Sequence, residues 1–157
     1  MIRPRLRRAS AGDAPDVAEI LSESFRGYQP LYTPDAFAAT TPTSEVIALR
    51  VAEGPTWIAF DGDARVGTIS AVIRDDGAYV RSMAVLPSAR GKGIGRALLG
   101  AAEAFAKENG APRLYLSTTP FLTDAIRLYE ASGFRRTDEP PFELHGTPLF
   151  TMEKRLV

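Results

Sequence analysis

The chain has 157 residues, which suits one domain, with 45% hydrophobic and 24% charged residues and a formal net charge of zero. That balance gives no bulk electrostatic pull toward nucleic acid or a membrane surface, and no apolar run is long enough to span a bilayer. The absence of cysteine and the single histidine, His145, exclude disulfides, thiolate metal sites, a cysteine nucleophile and a zinc site with several histidines.

Ile2 to Arg8 reads as a first strand, with Arg3, Arg5, Arg7 and Arg8 on the solvated face of an edge rather than forming a nucleic-acid arm. Ser10-Ala-Gly-Asp13 puts an acid three positions after a side-chain acceptor, a variant of the capping box. The helix that follows carries Val17, Ile20, Leu21 and Phe25 on one stripe and ends at Gly27. Tyr28 to Pro42 is punctuated by Pro30, Pro34 and Pro42 and is expected to be irregular, with a short helix at Asp35 to Ala39. A further helix is expected from Thr43 to about Ala52, with Val46, Leu49 and Arg50 facing inward.

Thr56 to Phe60 and Val66 to Ile73 are expected strands joined by the turn-rich Asp61-Gly-Asp-Ala64. Asp75-Asp76-Gly77 turns the chain into Val80 to Leu86, a short apolar run of β-branched and small residues that stops at Pro87. These three strands form a meander, so antiparallel pairing is expected. From Ile94 the apolar residues fall at Ile94, Ala97, Leu98, Ala101 and Phe105, which is helical spacing, and Asn109-Gly110 stops it. Arg113 to Ser117 is another strand, expected parallel to Val80–Leu86 because a helix lies between them. A helix then starts at Thr123, stacks Ala125, Leu128, Tyr129 and Ser132, and ends at Gly133. Phe134 to Thr137 and Leu149 to Arg155 are expected final strands, with the proline-rich Glu139 to Pro148 between them mostly loop. No internal repeat or low-complexity segment is visible, and residues 1–157 read as a single domain.

The informative stretch is Val80 to Leu99: strand, glycine loop, helix. The loop Arg90-Gly-Lys-Gly-Ile-Gly95 places three glycines on alternate positions. Glycine admits positive φ and close backbone approach. The helix start adds unpartnered N–H groups and the positive end of the macrodipole. Arg90, Lys92 and Arg96 add full charges, so the unit suits a pyrophosphate. A Walker A run is absent. The dinucleotide pattern Gly-x-Gly-x-x-Gly fails from Gly91, where Arg96 holds the last position, and from Gly93, where Leu98 does. No Gly-x-Ser-x-Gly elbow accompanies His145. The chemistry therefore falls to backbone groups, carboxylates, hydroxyls, lysines and a cofactor.

Arg-x-x-Gly-x-Gly, met at Arg90, Gly93 and Gly95, resembles the acetyl-CoA pyrophosphate loop of the GNAT N-acetyltransferase superfamily. Met83-Ala-Val-Leu-Pro87 is similar to that family's fourth strand, which meets the pantetheine arm, and Ala125-Ile-Arg-Leu-Tyr129-Glu-Ala-Ser-Gly133-Phe134 to its Ala-x-x-Leu-Tyr-x-x-x-Gly-Phe segment. The closing Phe150 to Leu156 looks like its last strand. The resemblance implies an α/β fold with a mixed, mostly antiparallel sheet and a splayed parallel strand pair as the acetyl-CoA slot. It implies cofactor contacts from Met83, Ala84, Val85, Arg90, Gly91, Lys92, Gly93, Ile94, Gly95 and Arg96. It makes the Val85 N–H the donor to the developing oxyanion and Tyr129 the acid for the departing thiolate. Tyr28, Tyr32 and Phe37 would border the acceptor.

The implied activity is transfer of acetyl from acetyl-CoA to a primary amine by direct attack in a ternary complex, without metal. The chain departs from the family at the base. Relatives often carry a glutamate near Arg81, where this chain has Tyr79, Arg81 and Ser82, and an asparagine at Leu122. Glu53, Asp76, Glu143, His145 or a water chain are the remaining candidates, and Arg81 points to an acidic group on the acceptor. Rival readings are a non-catalytic acyl-CoA sensor of the same fold and a nucleotide- or phosphate-binding protein. With no secretory signal at its start, the chain is expected to be cytoplasmic. The acceptor, a small molecule or a protein amine, is open. So is the oligomeric state, a homodimer being common in the family.

Overall fold

The structure, a computed structural model, describes residues 4–156. The chain forms β1 (Arg5–Arg8), α1 (Ala14–Phe25), α2 (Pro34–Thr40), α3 (Ser44–Glu53), β2 (Thr56–Asp61), β3 (Ala64–Arg74), β4 (Gly77–Val85), α4 (Ile94–Glu108), β5 (Arg113–Thr118), α5 (Thr123–Ala131), β6 (Arg135–Arg136), β7 (Phe142–Leu144) and β8 (Thr147–Arg155). The sheet runs β1-β2-β3-β4-β5-β8-β6, with β7 paired to β8. Every pairing is antiparallel except β4 with β5. This is the mixed α/β architecture the sequence implied.

The strands alternate between two apolar layers. Trp57 and Ala59 of β2 join Ile69, Leu98, Ala102 and Leu114 in one core cluster, while Ile58 and Phe60 join Val17, Ile20, Leu21 and Ile47 in the other. Successive side chains on a strand face opposite ways, so α4 covers one face of the sheet and α1 with α3 the other. Burying a side chain of this size contributes about 1.5–3 kcal/mol.

The capping expectation holds: the Ser10 N–H donates to Asp13 Oδ2 at 2.8 Å, and Arg7 adds an ion pair to the same carboxylate at 3.0 Å. The Arg7 pair and the Ser10 N–H hold the Asp13 carboxyl well below the usual carboxylate range. The basic N-terminus does lie on an edge strand, with Arg5 4.3 Å from the Phe60 ring centroid. The part of that expected strand at Ile2 and Arg3 lies outside the described residues.

Three expectations need correction. Residues Arg26–Leu31 wind into 3₁₀ turns rather than remaining irregular. In α3, Val46 and Leu49 are 40% and 69% exposed, and Ile47 is the buried residue. The inward stripe is Ile47, Arg50 and Val51: Arg50 faces inward as expected, while Ile47 and Val51 take the places expected of Val46 and Leu49. The 139–148 link also contains a hairpin: β7 and β8 meet at His145-Gly146, with φ of 48° and 88°. Two positive φ values suit the tight hairpin turns that match strand twist. This hairpin ties back to the start of α2: Thr33 Oγ1 donates to the His145 carbonyl at 2.7 Å, and the Thr33 N–H donates to Thr147 Oγ1 at 3.0 Å. Among the described residues, no helix is long and apolar enough to cross a membrane.

Candidate active site

The site follows from how β4 and β5 part company. They pair only at Ala78↔Leu114 and Tyr79↔Tyr115, although β4 continues to Val85 and β5 to Thr118. Beyond Tyr79 the strands diverge, and a cavity of about 270 Å³ opens between them. Its walls include Val80 to Met83 of β4, Leu116 to Thr118 of β5 and Tyr129 of α5. α1, α2, α3 and the β7–β8 hairpin close it.

The backbone of β4 faces this gap in a definite way. The Leu86 N–H donates to the Val66 carbonyl at 2.8 Å, and Gly67 lies opposite Val85. That makes Gly67–Val85 a non-hydrogen-bonded pair of the antiparallel ladder. The Val85 N–H therefore points away from β3, toward the side from which β5 has withdrawn. By the same alternation Met83, opposite Ile69, presents its N–H on that side. Between Ser82 and Val80 the register slips: Ser70 pairs with Ser82 but Ala71 with Val80, leaving Arg81 as the extra residue of a bulge. Bulges re-aim side chains, and Arg81 lines the cavity.

At the C-terminal end of β4 lies the glycine loop, whose three glycines have different tasks. Gly91 and Gly93 hold φ of 78° and 84°, and a Cβ built on either meets nothing within 4 Å. They are required by backbone conformation, and they leave the main chain bare. Gly95 is required by packing, since its Cβ would lie 2.6 Å from Leu128 Cδ2 of α5. Gly93 caps α4, so the N–H groups of the first turn remain available at a positive helix end. Lys92 and Arg96 are exposed beside them. Arg90 is committed inward: Nε donates to the Val85 carbonyl at 3.1 Å and Nη2 to the Ser24 carbonyl at 3.2 Å. It fastens the end of β4 to α1 as well as flanking the loop.

Tyr129 borders the cavity at 8% exposure, its ring centroid 5.9 Å from that of Phe134. Burial pushes its phenol well above the ordinary tyrosine value, so it stays protonated throughout the neutral range. Of the other aromatics expected at the acceptor, Tyr32 lines the cavity. Burial raises its phenol to about 12. Phe37 packs behind Tyr32 and Tyr28 packs against Phe121. Leu122 also lines the cavity.

None of the acids considered as a base lines the cavity. Asp76 is occupied with Arg113 and Tyr115 on the far side of the pairing, and Glu53 is held by Arg81 at 2.8 Å. Glu143 and His145 are exposed on the hairpin. The cavity's charged lining residues are Arg50, Arg74 and Arg81, contributed by α3, β3 and β4; Arg81 is expected from the sequence to meet an acidic group, and the sequence does not reveal that Arg50 and Arg74 join it.

Comparison with known proteins places this geometry. Residues 14–134 match the model of the acetyltransferase (GNAT) family. The chain is 30% identical over 141 residues to the uncharacterised N-acetyltransferase YjgM of Escherichia coli, covering 86% of this chain and 84% of the relative. It is 32% identical over 133 residues to the uncharacterised N-acetyltransferase YhfO of Bacillus subtilis, covering 82% and 88%. The crystal structure of the PaiA N-acetyltransferase of Thermoplasma acidophilum in complex with coenzyme A superposes with a TM-score of 0.83 at 21% identity, covering 99% of this chain and all of the other. The two structures share the mixed sheet architecture. The chain belongs to the GNAT acetyltransferase family and is an acyltransferase, and the family takes its acetyl group from acetyl-CoA. The residues fit that co-substrate: bare N–H groups and two exposed cations flank the loop, and a strand edge with free N–H groups borders the gap.

Proposed function

We propose that the protein transfers acetyl from acetyl-CoA to a primary amine by direct attack within a ternary complex in the cytoplasm. The observation that supports this reading is the β4 edge: Met83 and Val85 turn their N–H groups away from β3, toward the side where β5 has withdrawn, and Met83 lines the same cavity as the buried, protonated Tyr129. Acetyl-CoA supplies an acetyl thioester open to attack by an amine. The N–H groups of Gly91 to Arg96, with Lys92 and Arg96, hold its pyrophosphate. Met83, Ala84 and Val85 line the path of its pantetheine arm. The Val85 N–H donates to the thioester oxygen as negative charge gathers there, a contribution typically worth about 2.7–4 kcal/mol of barrier. Tyr129 gives its proton to the departing sulfur. The C–N bond forms as the C–S bond breaks, and the nitrogen sheds one proton while the sulfur gains one.

The first test is a thermal shift with acetyl-CoA at about a hundred times a micromolar-range Kd, with ATP as control. Specific binding should add about 2.7 kcal/mol, raising Tm by about 5–10 °C at this chain length. No rise, or an equal rise with ATP, would remove the cofactor assignment. Release of free thiol in the presence of an amine separates a transferase from a non-catalytic sensor.

A further inference from the structure

We propose that the acceptor is a small amine that also carries a carboxylate, and that Arg50 and Arg81 hold this carboxylate in the cavity beside β4. The inference rests on the transferase reading above and names the substrate class for the same site.

The cavity's charge is one-sided. Its lining contains Arg50, Arg74 and Arg81 and no aspartate or glutamate. The side chain of Arg81 is only 14% exposed. One of its amino groups donates to Glu53 Oε1 at 2.8 Å, while its Nε is buried without a partner. Arg50 donates to the Ser82 hydroxyl at 3.0 Å. Glu53 itself is 59% exposed and reaches Arg81 from outside the cavity wall. Of these two guanidiniums, Arg81 meets one peripheral carboxylate and Arg50 meets only a hydroxyl. Burial and the neighbouring Arg81 charge push the Arg50 pKa below the ordinary guanidinium value, the mark of like charges drawn together. A buried charge without a counter-charge is costly, and the planar guanidinium fork is shaped for a carboxylate. On the β5 wall the Thr118 hydroxyl is also buried without a partner, as expected of a surface that meets a polar ligand.

Size and protonation point the same way. The cavity, at about 270 Å³, lies just below the roughly 300–1,000 Å³ of pockets for drug-sized ligands, which favours a small molecule. A cationic wall disfavours the ammonium form of whatever binds. The acceptor nitrogen therefore leaves its ammonium proton in bulk water on entry, and the proton it sheds on forming the C–N bond passes to water. Without an anionic group of its own, an amine would have little reason to enter such a cavity.

The test is a matched panel: glycine with glycinamide, β-alanine with β-alaninamide, 4-aminobutanoate with its amide, and phenylalanine with phenylalaninamide. At least one acid should exceed its amide by about tenfold or more in kcat/KM, the scale of a hydrogen bond to a charged group. The α-amino amides make this demanding, because their amines are the less protonated at neutral pH. Arg50→Gln and Arg81→Gln should raise KM for that acid about tenfold and collapse the ratio, with KM for acetyl-CoA unchanged. Glu53→Gln should lower KM for the acid, since it frees Arg81, an effect that a merely structural ion pair would not give. Amides matching or beating acids throughout, or a preference that survives both arginine substitutions, would overturn the inference. If neither glutamine variant folds, Arg81→Lys and calorimetric titration of the same acids and amides into the CoA-loaded wild type decide it. Binding of the acid but not the amide supports the proposal, and equal or absent binding of both overturns it. Failure of the acetyl-CoA thermal shift would sink the transferase reading separately, and titration without CoA would still report on the pocket.

Discussion

The two ends of the β4–β5 pair treat arginine in opposite ways. At the paired end Arg113, 8% exposed, meets Glu139 at 2.6 Å, Glu153 at 3.0 Å and Asp76 at 3.1 Å. Tyr115 donates to the other Asp76 oxygen at 2.6 Å. Burial alone would lower the Arg113 pKa, but the Glu139 and Glu153 carboxylates outweigh it and raise it. At the parted end, three arginines line the cavity and one carboxylate, Glu53, meets one of them, Arg81. One end has more carboxylates than arginines, and the other the reverse. The difference teaches how to tell a structural arginine from one kept for a ligand: the first has its counter-charges inside the fold, while the second waits for one from outside.

Arg113→Met should separate the ends most sharply. It strands three carboxylates around an apolar side chain, and breaking a buried pair costs about 3–5 kcal/mol. Because Asp76 and Glu139 are partly exposed, we expect the lower figure, about 3 kcal/mol, or a Tm drop of about 6–12 °C by calorimetry. KM for acetyl-CoA should not move. A drop of under about 2 °C would mean that the paired end is not a structural clamp.

At the parted end, Tyr129→Phe should lower kcat about a hundredfold, within the range for general acid catalysis. The thermal shift given by acetyl-CoA should persist. Since burial raises the Tyr129 pKa, this proton is retained below the upper limb, and activity in the wild type should show no loss through tyrosine ionisation up to about pH 10. An unchanged kcat would remove the acid role.

The smallest effect belongs to Glu139→Gln. This carboxylate is 47% exposed, so its loss should cost under about 1 kcal/mol at pH 7. The Arg113 hydrogen bond lowers the Glu139 pKa. A lowered carboxyl stabilises the fold above its unfolded value, near 4.3, and that stabilisation fades as pH falls through the folded value. The Tm difference between wild type and variant should therefore be present at pH 7 and vanish in acid. A difference that grew on acidification would contradict the assigned direction.

What the sequence revealed was local. The strand, glycine loop and helix from Val80 to Leu99 and the Tyr129 segment are continuous stretches, and their spacing carries their structure. The parallel pair also followed from one intervening helix. What escaped depends on tertiary placement. The Arg81 bulge has no glycine or proline to mark it. The cavity's charge combines α3, β3 and β4, and the opposing cluster gathers Asp76, Arg113, Glu139 and Glu153 from across the chain. In α3 the sequence does not separate Val46 and Leu49 from the equally apolar Ile47 and Val51, and only the neighbouring α1 and the sheet decide which pair is covered. His145-Gly146 lacks the Asn-Gly or Asp-Gly signature of a hairpin.

The bonds from Thr33 to His145 and Thr147 join residues 112 and 114 positions apart. Contacts of such separation close long loops and form slowly. On the ribosome, the cofactor loop and its helix are complete once residue 108 has emerged, but the far wall of the acceptor cavity waits for the hairpin at 142–155. The chain therefore completes the glycine loop and its helix before it completes the wall that encloses the cavity.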